Sequence, residues 1–159
     1  MFRPMRRKAK EISTEAAKQL LHSERRGIFA VNGDGGYPYA VPVNFYYDET
    51  DNKIYFHGAA AGHKVDALRN DDRVCFTVYG NETIKEEELW APYLQSTVVF
   101  GRCRIVEDLD KTIALVKKVA EKYYPSDALI EEEIAKSGKA VRIYEITIEH
   151  ISGKEIQEK

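Results

Sequence analysis

The chain has few of the residues that mark a disulfide-stapled, membrane-spanning or nucleic-acid-binding protein. Its 159 residues include only two cysteines, Cys75 and Cys103, far apart and each inside an apolar, strand-like run. They suit reduced core thiols of a cytoplasmic protein better than a disulfide or a metal site. No apolar run approaches the ~20 residues of a membrane span. The charged start is followed by no apolar stretch of signal-peptide type, so no membrane attachment is expected. Neither sign of charge dominates: 24 Lys and Arg stand against 26 Asp and Glu. That leaves no basic field for nucleic acid. The basic cluster Arg3, Arg6, Arg7, Lys8 and Lys10 reads as a solvated arm. There are no internal repeats and no low-complexity linker, so residues 1–159 read as a single domain.

A nucleotide P-loop is also missing. That motif needs Gly, four residues, then Gly-Lys-Ser/Thr. Here three residues separate Gly58 from Gly62, His63 intervenes before Lys64, and Val65 stands where a hydroxyl is required.

What is present centres on residues 54–68, IYFHGAAAGHKVDAL. An apolar run stops at His57-Gly58, small residues follow, and helical composition begins after Gly62. Small residues let a ligand approach backbone amides, and a helix N-terminus beside a lysine suits an anion. The stretch is therefore a phosphate site or an ordinary strand-to-helix connection with a surface lysine.

A second candidate lies in residues 37–47, YPYAVPVNFYY, read as one long strand. Tyr39, Val41, Val43, Phe45 and Tyr47 fall on its core side; Ala40, Pro42, Asn44 and Tyr46 fall on the other. The second face is small around Pro42 and leaves room for something flat. A proline inside a strand marks an edge, a bulge or interrupted pairing.

Further strands are expected at 27–31, 54–57, 73–79, 95–106 and 139–151, with a bulge or close approach at Gly101. Helices are expected at 14–23 after an N-cap Ser13, at 63–69, at 111–123 and at 128–136. Ile113, Val116, Ala120 and Tyr123 form the apolar face of the third helix. Residues 80–92, with Glu82, Glu86, Glu87 and Glu88, read as a solvated irregular loop, and the residues after 151 as a charged tail. Long antiparallel strands with few helices indicate an all-β barrel with peripheral helices.

With these residues in order, the chain resembles the FMN-binding split-barrel superfamily of pyridoxamine 5'-phosphate oxidase-like proteins, and within it the nitroimidazole-resistance branch. The resemblance runs from Met5-Arg6-Arg7-Lys8 through residues 36–45, 54–58, 62–64, 73–76 and 96–107 to Ile151-Ser152-Gly153-Lys154. It implies a six-stranded Greek-key split barrel that forms a homodimer, with FMN between subunits. By position, Pro42, Val43 and Asn44 line the isoalloxazine ring. His57, Gly58, Ala59, His63 and Lys64 gather at the ribityl phosphate. Ser96, Thr97 and Val98 come from the partner subunit. The C-terminal Arg/His substrate motifs of true pyridoxamine-phosphate oxidases have no counterpart in EHISGKEIQEK, so oxidation of that substrate is not implied.

The leading functional expectation is an FMN-dependent oxidoreductase acting on a nitroaromatic or similar small electron acceptor. No acid–base pair stands out as a catalyst. The alternative is a flavin- or haem-binding module for storage, sensing or stress response, with a histidine available as an axial ligand.

Overall fold

The computed structural model describes residues 1–88 and 90–157, with the backbone alone at Glu88. The expected acidic loop and charged tail therefore fall in part outside the described residues, at the Glu88 side chain and at Glu158 and Lys159. In chain order the elements are β1 Glu11–Ile12, α1 Thr14–Ser23, β2 Arg26–Asn32, β3 Pro38–Asn44, β4 Tyr46–Asp48, β5 Lys53–Gly58, α2 His63–Asn70, β6 Arg73–Lys85, β7 Ala91–Ile105, α3 Leu109–Glu121, α4 Asp127–Ser137 and β8 Arg142–Gln157. Pairing is antiparallel in the order β3-β2-β6-β7-β8-β5-β4, with β1 added on β8. The sheet curls into a split barrel with helices outside it, the all-β architecture expected, but with eight strands among the described residues where six were expected, since 37–47 divides in two and Glu11–Ile12 adds a short strand.

Local chemistry sets the helix starts. Ser13 Oγ accepts a hydrogen bond from Ala16 N at 3.1 Å, and Asp108 Oδ1 accepts one from Lys111 N at 2.7 Å. Each satisfies an N–H that the first turn leaves free. Helix α1 then buries Ala17, Leu20 and Leu21. Inside the barrel, aromatic rings meet in a tilted pair, Phe29–Phe56 at 4.7 Å, an edge-to-face pair, Phe45–Phe76 at 4.9 Å, and a stacked pair, Phe56–Tyr144 at 4.8 Å. A smaller core of Tyr55, Leu115, Val119 and Ile143 lies on the outer face of β5 and β8, where α3 covers it.

Three boundaries differ from the sequence reading. The run 37–47 is not one strand. It breaks at Phe45 into β3, paired with β2, and β4, paired with β5. The acidic stretch does not begin an irregular loop at Gly80: β6 continues to Lys85 and pairs with the start of β7, after a register shift between Gly80 and Thr83. Its charged residues are exposed because the hairpin arm projects, not because it is unpaired. The expected tail is strand as far as Gln157, paired with Tyr93. The bulge at Gly101 is present as a register shift beside Phe100.

Buried Glu145 faces the smaller core. Arg104 Nε donates to its Oε1 at 2.7 Å, Lys53 Nζ lies 3.2 Å from Oε1, and Lys111 Nζ donates to Oε2 at 3.3 Å. Burial alone would raise this carboxyl, but its hydrogen bonds with Arg104 and Lys53 outweigh that and hold it below the usual range.

Candidate functional site

The site begins where the barrel divides. β4 pairs with β5 through Tyr46 opposite Tyr55 and Tyr47 opposite Ile54. Two more residues in that register would set Asn44 opposite His57, but at Asn44 the chain has joined β2, facing Arg26. Asn44 and His57 therefore stand on the two sides of the split. Both line one cavity of about 300 Å³ outside the sheet. His57 is exposed, on the same face of β5 as Tyr55. Asn44 points away from the core side held by Val43 and buried Phe45.

The strand break is chemically supported. The Tyr123 hydroxyl accepts from Phe45 N at 2.7 Å, with Phe45 O at 2.8 Å and Arg25 O at 2.7 Å as acceptors for its single proton. Burial raises the pKa of that hydroxyl, so it stays protonated. Lys122 Nζ lies 3.9 Å from the centre of the Phe45 ring and donates to Glu24 O at 2.5 Å. Burial and the nearby Arg25 charge lower this ammonium from 10.5 to about 8.

The second part of the site is the turn into α2. Gly62 takes φ +120°, a conformation open to glycine, and a Cβ there would meet nothing within 4 Å. Its carbonyl accepts from Val65 N and Asp66 N, at 3.0 and 3.1 Å. Among the described residues the amides of His63 and Lys64 have no such acceptor, and no side chain caps the helix. Lys64 is half-buried and makes no ion pair among the described residues. The helix start thus offers two amides without acceptors, a helix dipole and a lysine in its first turn, a suitable anion site. His63 Nε2 accepts from Asp34 N at 3.4 Å, and its ring lies 4.1 Å from that of Tyr39. In that role the ring proton stands on Nδ1.

Gly58 has a different reason for being small. A Cβ there would lie 2.8 Å from the Tyr144 ring, and Tyr144 Oη donates to Ala59 O at 2.7 Å. Tyr144 therefore fixes the backbone of the turn from below.

The remaining sequence-predicted residues divide by face. Pro42, Ile28, Thr77 and Val98 are successive cross-strand partners on the outer side of the barrel. Pro42 lies in an edge strand of the sheet order, where its missing N–H costs little. Ser96 is half-buried between Tyr79 and Lys154. Thr97 is fully buried and its hydroxyl donates to Ala17 O at 2.9 Å, so this side chain is committed to the barrel–α1 contact. Val43 packs against the main core and offers only backbone outward.

The expected apolar face of the third helix is found in part, with Val116 and Tyr123 packed against the smaller core, but its fully buried residues are others. Thr112, Leu115 and Val119 are the buried residues of α3. Val116 and Ala120, together with Tyr123 beyond the helix end, face the cavity. An apolar spacing alone cannot separate a packed stripe from one lining a void. Tyr123 was visible in the sequence only as part of that stripe, and its hydroxyl contacts had no local signal.

A family model described as pyridoxamine 5'-phosphate oxidase matches residues 13–155. No curated protein matches the chain. Among solved structures, the chain is similar to a candidate 5-nitroimidazole antibiotic resistance protein from Bacteroides thetaiotaomicron, at 18% identity and a TM-score of 0.78, over 92% of this chain and 87% of that one. It is similar to a FAD-binding protein from Mesorhizobium loti at 23% identity and a TM-score of 0.66, over 92% and 97% of the two chains. It is also similar to a FAD and haem binding protein from Mycobacterium smegmatis, at 19% identity and a TM-score of 0.73, over 94% and 74%. At these identities the likeness is one of fold.

Proposed function

The chain belongs to the pyridoxamine 5'-phosphate oxidase family, and from that premise we propose that it is an FMN-binding oxidoreductase reducing a nitroaromatic or similar small electron acceptor. The observation that carries the reading is the N-terminus of α2, where the His63 and Lys64 amides lack acceptors and Lys64 makes no ion pair among the described residues. A phosphate dianion needs a cation, amides and a dipole, and the donor set fits it. Ala59, Gly62, His63 and Lys64 would hold the phosphate. Pro42, Asn44 and His57 would border the ring. Bound flavin supplies electron transfer; this chain's residues orient it and leave a second face open to an acceptor.

We place the remaining contacts in a homodimer. The outer row Pro42–Ile28–Thr77–Val98, with exposed Tyr79 and Phe100 on the same sheet, is an apolar face suited to a second copy. Ser96 and Val98 of that copy would reach the ring. Reduced Cys75 and Cys103 suit a cytoplasmic setting.

The absorbance spectrum of the purified protein tests this. Flavin bands, with FMN released on denaturation, support the reading. An intense Soret band would transfer the site to haem, with His57 as the candidate axial ligand. A colourless protein that takes up neither cofactor on titration removes it.

A further inference from the structure

The cavity beyond the split has Asn44 and His57 at one end and runs between α3 and α4. Its volume of about 300 Å³ is at the lower end for ligand pockets. A dry cavity of about 150 Å³ admits benzene, so this one holds a substituted ring or a small fused pair. Its walls are Val116, Val119 and Ala120 from α3, Ile130 and Ile134 from α4, and Val141 ahead of β8. Tyr123 and Tyr124 also line it, and its other polar side chains stand at two places. Asn44 and His57 mark the split, and Glu133 with Ser137 lies on α4, where Ser137 Oγ donates to Glu133 Oε1 at 3.1 Å. Among the described residues no lysine or arginine lines it.

That charge pattern selects. An anion entering would leave water to meet no cation and one carboxylate. A neutral ring loses little hydration and gains apolar contact on two helices. We propose that this cavity holds the electron acceptor, an uncharged or cationic aromatic molecule of one or two rings, and excludes phosphorylated and carboxylated ones. The assignment rests on the flavin lying along Asn44 and His57, which places the cavity mouth at the ring edge.

The test uses calorimetric titration of the purified protein with 4-nitrobenzyl alcohol and with 4-nitrobenzoate. The alcohol binds at least about tenfold more tightly. Ile134→Trp and Ala120→Leu each fill the void, the second with little risk to folding. Both weaken the alcohol by about tenfold or more and leave FMN affinity within about twofold. Glu133→Gln narrows the gap between the alcohol and the benzoate. Equal affinity for the two compounds, or undiminished alcohol binding in both filled variants, overturns the proposal. So does a parallel loss of FMN, which would make the cavity part of the flavin's own bed. Ring binding with this selectivity in a protein that takes up no FMN keeps the aromatic site, removes the flavin reading and overturns the assignment of the ring as an electron acceptor. FMN uptake without ring binding overturns the cavity alone.

Discussion

The Tyr123 hydroxyl, from the turn after α3, bonds the backbone of Phe45, the residue at which one run of chain leaves one sheet edge for the other. A ladder would normally satisfy that N–H and C=O. At the break there is no ladder partner, and a single phenol takes both roles. Replacing Tyr123 with Phe keeps the ring and strands the Phe45 amide, at a cost of about 1–3 kcal/mol. Urea unfolding of Tyr123→Phe should show that loss. An unchanged midpoint would mean that water serves Phe45 as well as the phenol does.

Lys64 is the cation at the turn into α2, and no acidic side chain claims it among the described residues. Lys64→Ala should therefore leave folding stability nearly unchanged and weaken FMN by about 1.5–3 kcal/mol, the range for a charge-assisted hydrogen bond. Fluorescence titration of the apoprotein reads the affinity, and thermal unfolding of the same sample reads the fold. Equal FMN affinity in the variant would move the phosphate elsewhere.

Glu145 links the fold to acid. Its carboxyl is held below 4.5 in the folded chain, so its contribution is present above about pH 4.5 and fades as pH falls through the lower folded value. Glu145→Gln should cost about 3 kcal/mol at pH 7. That is the low end for breaking a buried pair, because Arg104 and Lys111 reach solvent. The difference between the two proteins should shrink as denaturation is repeated from pH 6 down to pH 3. A gap that does not change with pH would show that Glu145 acts through packing alone.

Lys122 acts in the same direction in a more alkaline window. Its ammonium is lowered to about 8 by burial and by Arg25, whereas the unfolded chain keeps the ordinary 10.5. Between those values the unfolded state binds more protons, so folding stability rises with pH. Thermal unfolding of the wild type should gain stability between about pH 8 and pH 10.5 relative to Lys122→Met. Parallel curves would remove the burial account.

How much of this could be read beforehand depended on whether the cause was local. Ser13 as a cap, the Gly62 turn and the α2 start rest on neighbours in sequence, and they were legible. The break at Phe45 was not, because nothing in NFY says that Asn44 pairs with Arg26 on one side and Tyr46 with Tyr55 on the other. The arm at 80–85 is not legible because its exposed, polar residues resemble a loop, although it is paired with the start of β7. The cavity was hidden for a similar reason. Val116 and Ala120 have core spacing, and only the placement of α4 makes their surroundings empty. Asn44 and His57 were named as site residues through a family resemblance, and the structure adds that they face one another across the split.

Both free edges of the barrel, β3 and β4, come from one run of chain that turns at Phe45. Chain length at that point is therefore a geometric variable in its own right. An inserted residue beside Phe45 would leave Pro42 in register with Ile28, yet it would either shift Tyr46 and Tyr47 by one place, turning each to the opposite face of β4, or push the excess into the gap. The width of the opening is set by a residue count more than by any side chain, and families of such barrels could vary their clefts by changing one number there.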